Sequence, residues 1–432
     1  MAANLGPPKG TVTGGTVSEA MYNGLPAPWG RPGDVVEVDV EGIGVLRNKV
    51  AQPEINNPDH RCKAAVTVEP ASTRGGAQMS REILLTGSVG LDSAEEVFRT
   101  LGRALGTRTP RLPDGETGYA RSVWIQSQAP FFLGNPAFEQ VEPDPDRPGE
   151  LRPACMPSKG LYSHTAAGRW QGRARLRPGV RPEDVRFDNI GYADWAIESC
   201  DIFRRLKQAG DVPATTRFQV SLPSVRVVVM SRTRPEAVPV VMPAYARAMR
   251  AEIERMAAAI PRAELSIQWD CTEPVQYEGM NADQRAALHQ AIIEYASYVP
   301  DDIELGYHLC YGDFEHMHVL QPPSLAVSVA ITNAIAAAVR RPIGWVHMPV
   351  PRGRNDDAYF APLRDLKMHP ETKLYLGLVH HTDGVAGTRQ RMETASRYVS
   401  DYGIATECGW GRRPKETLPA LLRIHAGAAD LP

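Results

Sequence analysis

Three segments of this sequence carry side chains that bind soft metals, each close to the end of a run that reads as a strand. His308 and Cys310 stand two residues apart in Gly306-Tyr-His-Leu-Cys-Tyr-Gly-Asp-Phe314. On an extended strand such residues point the same way, with Cα atoms ~6–7 Å apart. An imidazole nitrogen and a thiolate sulfur could then take two sites of one tetrahedral zinc, at ~2.0–2.1 Å and ~2.3 Å. The same pair equally suits a small buried thiol beside a hydrogen-bonded core histidine. Two further donors, His347 and Cys408, stand at or near the ends of other predicted strands. His380, His381 and Asp383 lie together in His380-His-Thr-Asp383 and offer groups that give or take a proton near neutrality. Asp270, with Glu273 just beyond it, ends another run; a carboxylate there either meets substrate or caps a loop. Gln219 and Ser221 could hydrogen-bond a substrate or be ordinary polar residues of a barrel strand. Arg352, Arg354, Arg412 and Arg413 form either a solvated rim or a clamp for a carboxylate or phosphate. Cys62, Cys155, Cys200 and Cys271 lack partners at ligand-like spacing and read as packing residues, and His316 and His318 read as loop residues.

The elements that must position these groups alternate. Candidate strands are Ile83–Ser88, Thr109–Asp114, Thr216–Leu222, Glu264–Asp270, Asp302–Cys310, Pro342–Pro349, Lys373–His380 and Gly403–Cys408. Helical patterns fall at Ala94–Leu105, Tyr192–Gln208, Ala244–Ala259, Ala282–Tyr295, Leu325–Val339 and Arg389–Tyr402. Strand-helix alternation over this length predicts a (β/α)₈ TIM barrel, class α/β, with a large insertion after strand 2 at 115–215. In such barrels the functional side chains gather at the C-terminal strand ends, where the groups above fall. A doubly wound open sheet is the alternative, and it lacks a Gly-rich phosphate loop after its first strand. Residues 34–50 alternate with period two about Glu41-Gly42 and predict a small N-terminal β-hairpin appendage. The expected division is 1–52, a polar linker at 53–80, and the barrel at 81–432.

Composition narrows the function classes. At 432 residues with 43% hydrophobic and 23% charged residues, the chain is an ordinary globular one and wholesale disorder is excluded. Lys plus Arg number 48 against 50 Asp plus Glu, and a net charge of −2 argues against nucleic-acid or anionic-membrane partners. Six cysteines are too sparse for a disulfide scaffold. The apolar run Leu325–Val339 is too short to span a bilayer, and residues 1–30 lack a secretory pattern. A reducing, cytoplasmic location is expected.

Two resemblances add to this. Gly306–Phe314, Ile267-Gln-Trp-Asp-Cys-Thr-Glu-Pro274 and Glu407-Cys-Gly409 resemble the C-terminal zinc barrel of cobalamin-independent methionine synthase. Thr86-Gly-Ser88 with Asp114-Gly-Glu116 is a fainter echo, and the likeness covers about residues 80–430. In that family one His and two Cys hold a zinc that binds the acceptor thiol as thiolate. The matching positions are His308, Cys310 and Cys408. The family's fourth ligand is a Glu ending the next strand, where this sequence has His347; that imidazole, a water or the substrate would complete the site. Asp270 falls where the family's acidic residues grip the amino group of homocysteine. With it, Ser88, Glu116, Gln219, Ser221, Glu273, Arg352 and Arg412 make up the expected substrate-binding set, and Asp270, His380, His381 and Asp383 the catalytic one. The implied activity is zinc-dependent transfer of a methyl or small alkyl group to a thiol such as homocysteine, from a folate, corrinoid or other small donor. The alternatives are a metal-free decarboxylase-like enzyme of the uroporphyrinogen decarboxylase superfamily and a non-catalytic barrel with structural zinc. Separately, Arg31-Pro-Gly-Asp-Val-Val-Glu-Val-Asp-Val-Glu-Gly-Ile-Gly-Val-Leu-Arg-Asn48 resembles the C-terminal end of fumarylacetoacetate hydrolase family domains, over about residues 10–50. That family's carboxylate metal ligands have no counterpart here, so the piece is expected to serve packing or homo-oligomer formation.

Overall fold

Strands whose two faces are both buried need side chains suited to two different interiors, and the strand Leu265–Cys271, β4 of the barrel, shows how this chain meets that demand. In Leu265–Cys271, every residue is buried. Leu265, Ile267, Trp269 and Cys271 alternate with Ser266, Gln268 and Asp270, so one face is apolar and the other polar. The apolar set joins the main hydrophobic core, whereas Gln268 bonds with polar groups of other strands. The computed structural model describes residues 35–40, 44–49, 80–115, 117, 124–140, 174–314, 317–318, 321–411 and 413–432.

The chain divides into two units, 1–76 and 77–432. In the first, Val35–Val40 and Gly44–Lys49 pair antiparallel with Val35 opposite Lys49, the hairpin expected from the alternation. Residues 53–79 of the expected linker, with Cys62, lie outside the described residues, as do Glu116, Cys155, His316 and Arg412.

The second unit is built on eight parallel strands: β1 (Ile83–Leu84), β2 (Arg111–Pro113), β3 (Arg217–Pro223), β4, β5 (Glu304–Leu309), β6 (Trp345–Pro349), β7 (Lys373–Val379) and β8 (Gly403–Thr406). Their order is β1-β8-β7-β6-β5-β4-β3-β2. Pairing of the first strand with the last, Ile83 beside Ile404, makes this a nearly closed TIM-like barrel and rules out the doubly wound alternative. Among the described residues β1 and β2 share no ladder. Two interior glutamines brace the first strand there: Gln219 Nε2 donates to the Leu85 carbonyl (2.8 Å) and Gln268 Nε2 to the Thr86 carbonyl (2.6 Å).

The barrel interior is layered. Leu84, Trp345, Tyr375 and Ala405 form a small cluster separate from the main core. Gly306 makes room for it, since a Cβ there would lie 2.0 Å from the Trp345 ring. At this end Arg111 donates twice to Glu304, 2.6 Å each, and once to the Tyr375 hydroxyl. Above the cluster come Gln219, Ser221, Ser266 and Gln268, all buried, and then Asp270, His308 and His347 at the C-terminal ends.

Helices α1 (Ala94–Leu105), α2 (Tyr192–Gln208), α3 (Val225–Arg232), α4 (Val238–Ala259), α5 (Ala282–Ala296), α6 (Ala326–Ala338), α7 (Gly384–Ala395) and α8 (Leu418–Ala429) accompany the strands. In α1 the Ser93 side chain caps the Glu96 amide. That helix buries Val97, Phe98, Leu101 and Leu105, each worth roughly 1.5–3 kcal/mol over exposure if fully buried. The insertion between β2 and β3 carries a short antiparallel pair, Phe138–Gln140 with Ala174–Leu176, and α2. It packs on α4 through Phe132, Phe138, Phe187 and Tyr245.

Candidate metal centre

Strand register builds the centre. In β4 and β5, Asp270 lies beside His308, and in β5 and β6, His308 lies beside His347. Three titratable side chains therefore meet on one tier. Cys310 follows the end of β5 and is fixed by its amide, which donates to the Cys271 carbonyl at 2.7 Å. Cys408 arrives from the far side of the chain, two residues beyond β8. Its Sγ lies 3.9 Å from that of Cys310. Donor atoms of His308, Cys310 and Cys408 all fall within 4.8 Å of one another.

This donor set fits zinc. Two thiolates at ~2.3 Å from a tetrahedral zinc stand ~3.8 Å apart, so the observed sulfur separation already matches one edge of the tetrahedron. Two sulfurs and one imidazole are also the borderline-soft donors that zinc prefers.

His347 does not join this trio. Its Nδ1 lies 2.6 Å from His308 Nδ1, with ring centroids 4.7 Å apart and both rings fully buried. Asp270 Oδ1 lies 3.8 Å from the other nitrogen, His308 Nε2. The centre is thus three donors with a carboxylate and a second imidazole packed around the histidine.

The remaining expected residues separate into those near this tier and those held elsewhere. His380 is buried, with Nε2 hydrogen-bonded to the Val350 carbonyl at 2.9 Å and Nδ1 3.2 Å from Glu407 Oε2. Because the carbonyl can only accept, the Nε2 proton is committed; Nδ1 can meet Glu407 as a donor only if the ring is an imidazolium. Arg413 approaches the other Glu407 oxygen at 3.2 Å. Asp383 is instead bound by Arg391, Nη1 to Oδ2 at 2.7 Å and Nη2 to Oδ1 at 2.9 Å. Burial raises the Asp383 pKa, but the hydrogen bonds and charge of Arg391, with His380 and Arg352, outweigh it and hold the carboxyl below its usual range. Asp383 is therefore a fixed counter-ion. His381 is half-buried. Arg352 is exposed and donates to Thr382 Oγ1 at 2.9 Å.

Gln219 spends its amide on Leu85 and Gln268, which makes it a brace inside the barrel. Ser221 is buried beside Gln268 in the β3–β4 register. Glu273 is buried beside Ser224, and burial raises its pKa, partly offset by the Ser224 hydroxyl and the charge of half-buried Arg226. The Ser88 carbonyl accepts the Trp410 amide at 2.6 Å, which ties the β1 loop to the loop carrying Cys408. Cys200 and Cys271 are buried, and burial pushes the Cys200 thiol up to about 12 and that of Cys271 well above its ordinary value. His318 falls in a two-residue hairpin strand after β5.

Sequence reasoning gave no role to Thr406, Glu407 or Arg391, whose partners are at the site. Thr406 bonds within the Cys408 loop, and Arg391 reaches Asp383, the Leu378 carbonyl and the Arg352 carbonyl. The available signal was chemical: a charged residue next to a candidate ligand cysteine, or on the buried face of a helix, needs a partner.

No protein-family model matches this sequence, and no curated protein matches it. Among solved structures, the fold is similar to that of a B12-independent methionine synthase from Shewanella sp. W3-18-1 in complex with selenomethionine. The TM-score is 0.50 at 12% identity, covering 82% of this chain and 97% of that one. A protein of Listeria monocytogenes named as a candidate vitamin-B12 independent methionine synthase gives a TM-score of 0.47 at 14% identity, covering 80% and 96%. What the Shewanella protein shares with this chain at that identity is the fold. No helix among the described residues is long and apolar enough to cross a membrane.

Proposed function

We propose that this protein transfers a methyl or small alkyl group to a thiol such as homocysteine, with zinc held by His308, Cys310 and Cys408. The observation that carries the reading is the meeting of those three donors, from two strand ends nearly a hundred residues apart in sequence, at the C-terminal face of the barrel. Three protein donors are the number found in zinc sites that keep a position for substrate, whereas structural sites use four. When bound, zinc would supply the positive charge that keeps an acceptor thiol ionised at neutral pH.

The chain's own residues supply the rest. His347 orients the His308 ring through the Nδ1–Nδ1 contact. Asp270, at the same tier, is placed to accept hydrogen bonds from the ammonium of an amino-acid thiol. His380 sits between the Val350 carbonyl and Glu407 and can hold a proton at Nδ1 beside the Cys408 segment. Arg352 is the exposed cation available to an anionic donor. Below the tier the barrel interior is filled by Gln219, Gln268 and Ser266, all fully buried, which keeps bulk water from the strand side.

The test is a metal assay followed by absorption-edge spectroscopy with and without added homocysteine. The expected result is about one zinc per chain, consistent with a single three-donor site, and an added sulfur scatterer with the thiol. Methyl transfer is then sought with methyl-cobalamin and methyl-folate donors. Zinc that gains no sulfur points to a structural site; protein purified and reconstituted without metal uptake sinks the reading.

A further inference from the structure

The described structure offers several polar clusters beyond the donors themselves, and most brace the fold. One bears directly on how Cys408 is presented. Thr406, the last residue of β8, is fully buried. Its Oγ1 donates to the Cys408 carbonyl at 2.7 Å and accepts from Trp410 Nε1 at 2.8 Å. A threonine hydroxyl has one proton to give, and here it is given to the backbone of the cysteine itself. The indole N–H on the other side orients the hydroxyl so that this proton points inward along the loop. Trp410 is in turn fixed from outside, its amide donating to the Ser88 carbonyl at 2.6 Å and Val89 bridging to it.

The loop has little freedom to move as a whole. A Cβ at Gly409 would lie 3.1 Å from the Ser88 amide nitrogen, and one at Gly411 would lie 2.2 Å from Ser88 Oγ. On its other flank, a Cβ at Gly377 would lie 3.0 Å from the Thr406 carbonyl oxygen. The backbone is therefore packed against β7 and against the β1 loop, while the crosspiece from Thr406 to Cys408 to Trp410 sets the turn inside it.

We propose that Thr406, oriented by Trp410, is the positioning residue that fixes the Cys408 backbone so that its sulfur stands opposite Cys310 ready to bind metal. This rests on the metal-centre reading above and deepens it: a ligand arriving from a loop after a four-residue strand needs a device to hold it, and Cys310 has a different one, its own amide on Cys271.

The experiment is cobalt(II) titration of the metal-free full-length protein, read by thiolate-to-cobalt charge-transfer absorption and by competition with a chromophoric chelator. Thr406→Val keeps the shape and removes both hydrogen bonds; it should bind cobalt about 10–100-fold more weakly, as loss of an outer partner of a ligand does, with less charge-transfer intensity per bound ion. Thr406→Ser restores the hydroxyl and should return both readouts towards wild type. Val97→Ala, which opens a cavity under α1 away from the centre, should lower the melting temperature and leave cobalt affinity unchanged. Wild-type affinity and spectrum in Thr406→Val overturn the proposal. Should that variant fail to fold, Trp410→Phe decides: it removes only the orienting N–H, and a weakened, less intense cobalt complex supports the proposal while an unchanged one overturns it. Wild-type protein that gives no thiolate charge transfer overturns the metal centre itself, an outcome distinct from a normal wild type beside a normal Thr406→Val.

Discussion

His308 and His347 meet nitrogen to nitrogen, Nδ1 to Nδ1 at 2.6 Å, with both rings fully buried. Such a contact is a hydrogen bond only when one nitrogen carries a proton and the other does not. With His308 Nε2 given to a metal, its proton sits on Nδ1, His347 accepts it, and the proton of His347 resides on its own Nε2. On the zinc reading, the histidine at the position of the family's fourth ligand would then be the partner that fixes the tautomer of the first.

Replacing His347 by Leu should accordingly leave the metal's immediate neighbours unchanged while loosening them. Zinc affinity should fall about 10–100-fold, the usual consequence of removing an outer partner. Absorption-edge spectra of the wild type and the variant should both show two sulfurs and one imidazole. A spectrum in which the wild type has two imidazoles and the variant one would make His347 a ligand.

The donors themselves should behave differently. His308→Ala, Cys310→Ser and Cys408→Ser should each lose most bound zinc, with far-ultraviolet circular dichroism close to native because the donors stand at strand ends. Stoichiometric zinc in all three variants, measured after dialysis against a mild chelator, would refute the site.

The Asp383–Arg391 pair gives a pH-dependent prediction. Arg391 is buried and donates to two backbone carbonyls as well as to both Asp383 oxygens. The Asp383 pKa is depressed on folding, so its contribution to stability is present above the unfolded value of ~3.9 and is lost as the pH falls through the lower folded value. Asp383→Asn should destabilise by roughly 2–3 kcal/mol at neutral pH, less than the ~3–5 for breaking a fully buried pair, because this carboxylate keeps some solvent contact. The gap between denaturant melts of the two proteins should begin to narrow below pH ~4 and close as the pH falls through the lower folded value; a constant gap down to pH 2 would contradict the pairing.

Gln268 is expected to govern the first strand. Gln268→Ala removes the bond to the Thr86 carbonyl and leaves that carbonyl buried. Amide exchange across residues 84–90 should quicken while β4 and β5 stay protected, as measured by mass spectrometry of peptic fragments. Equal exchange in the two proteins would show that the glutamine is not a brace.

How far these features could be read beforehand depended on whether their causes were local. Helices Ala94–Leu105 and Tyr192–Gln208 have the expected bounds. For the first the signals lie in sequence order: Ser93 as cap, Glu95 and Glu96 in the first turn, Arg103 in the last. The helix expected at Arg389–Tyr402 runs instead over Gly384–Ala395, because its start is set by the Asp383 turn and the left-handed Gly384, φ 61°. Helix α4 begins at Val238, before the expected Ala244, with Pro239 in its first turn, where no N–H is needed, and Pro243 inside it, where tertiary packing of Val241, Ala244 and Tyr245 outweighs the lost backbone bond that a local reading takes as a stop. Strand Ile83–Ser88 shrinks to Ile83–Leu84 because pairing, a long-range property, exists on one side only. The donors His308, Cys310 and Cys408 could be named from strand ends and a family resemblance. The Thr406–Trp410 crosspiece and the His308–His347 contact could not, because each depends on register or loop shape that no local pattern encodes.

Among the described residues β1 pairs only with β8, and this has a consequence for how the barrel is made. Ile83 finds its ladder partner at Ile404, more than three hundred residues later in the chain. The intervening strands can zip sequentially, each onto its predecessor, from β3 to β8. The first strand, two residues long, has nothing to add to until the last is in place, apart from the glutamines that reach for its carbonyls. Joining ends so distant carries a loop-closure entropy that local steps do not. The final, slow event of folding should therefore be the return of the amino-terminal edge of the barrel to its carboxy-terminal edge. Because Ser88 and Trp410 face one another across that edge, the Cys408 loop would take its working shape only at that late moment.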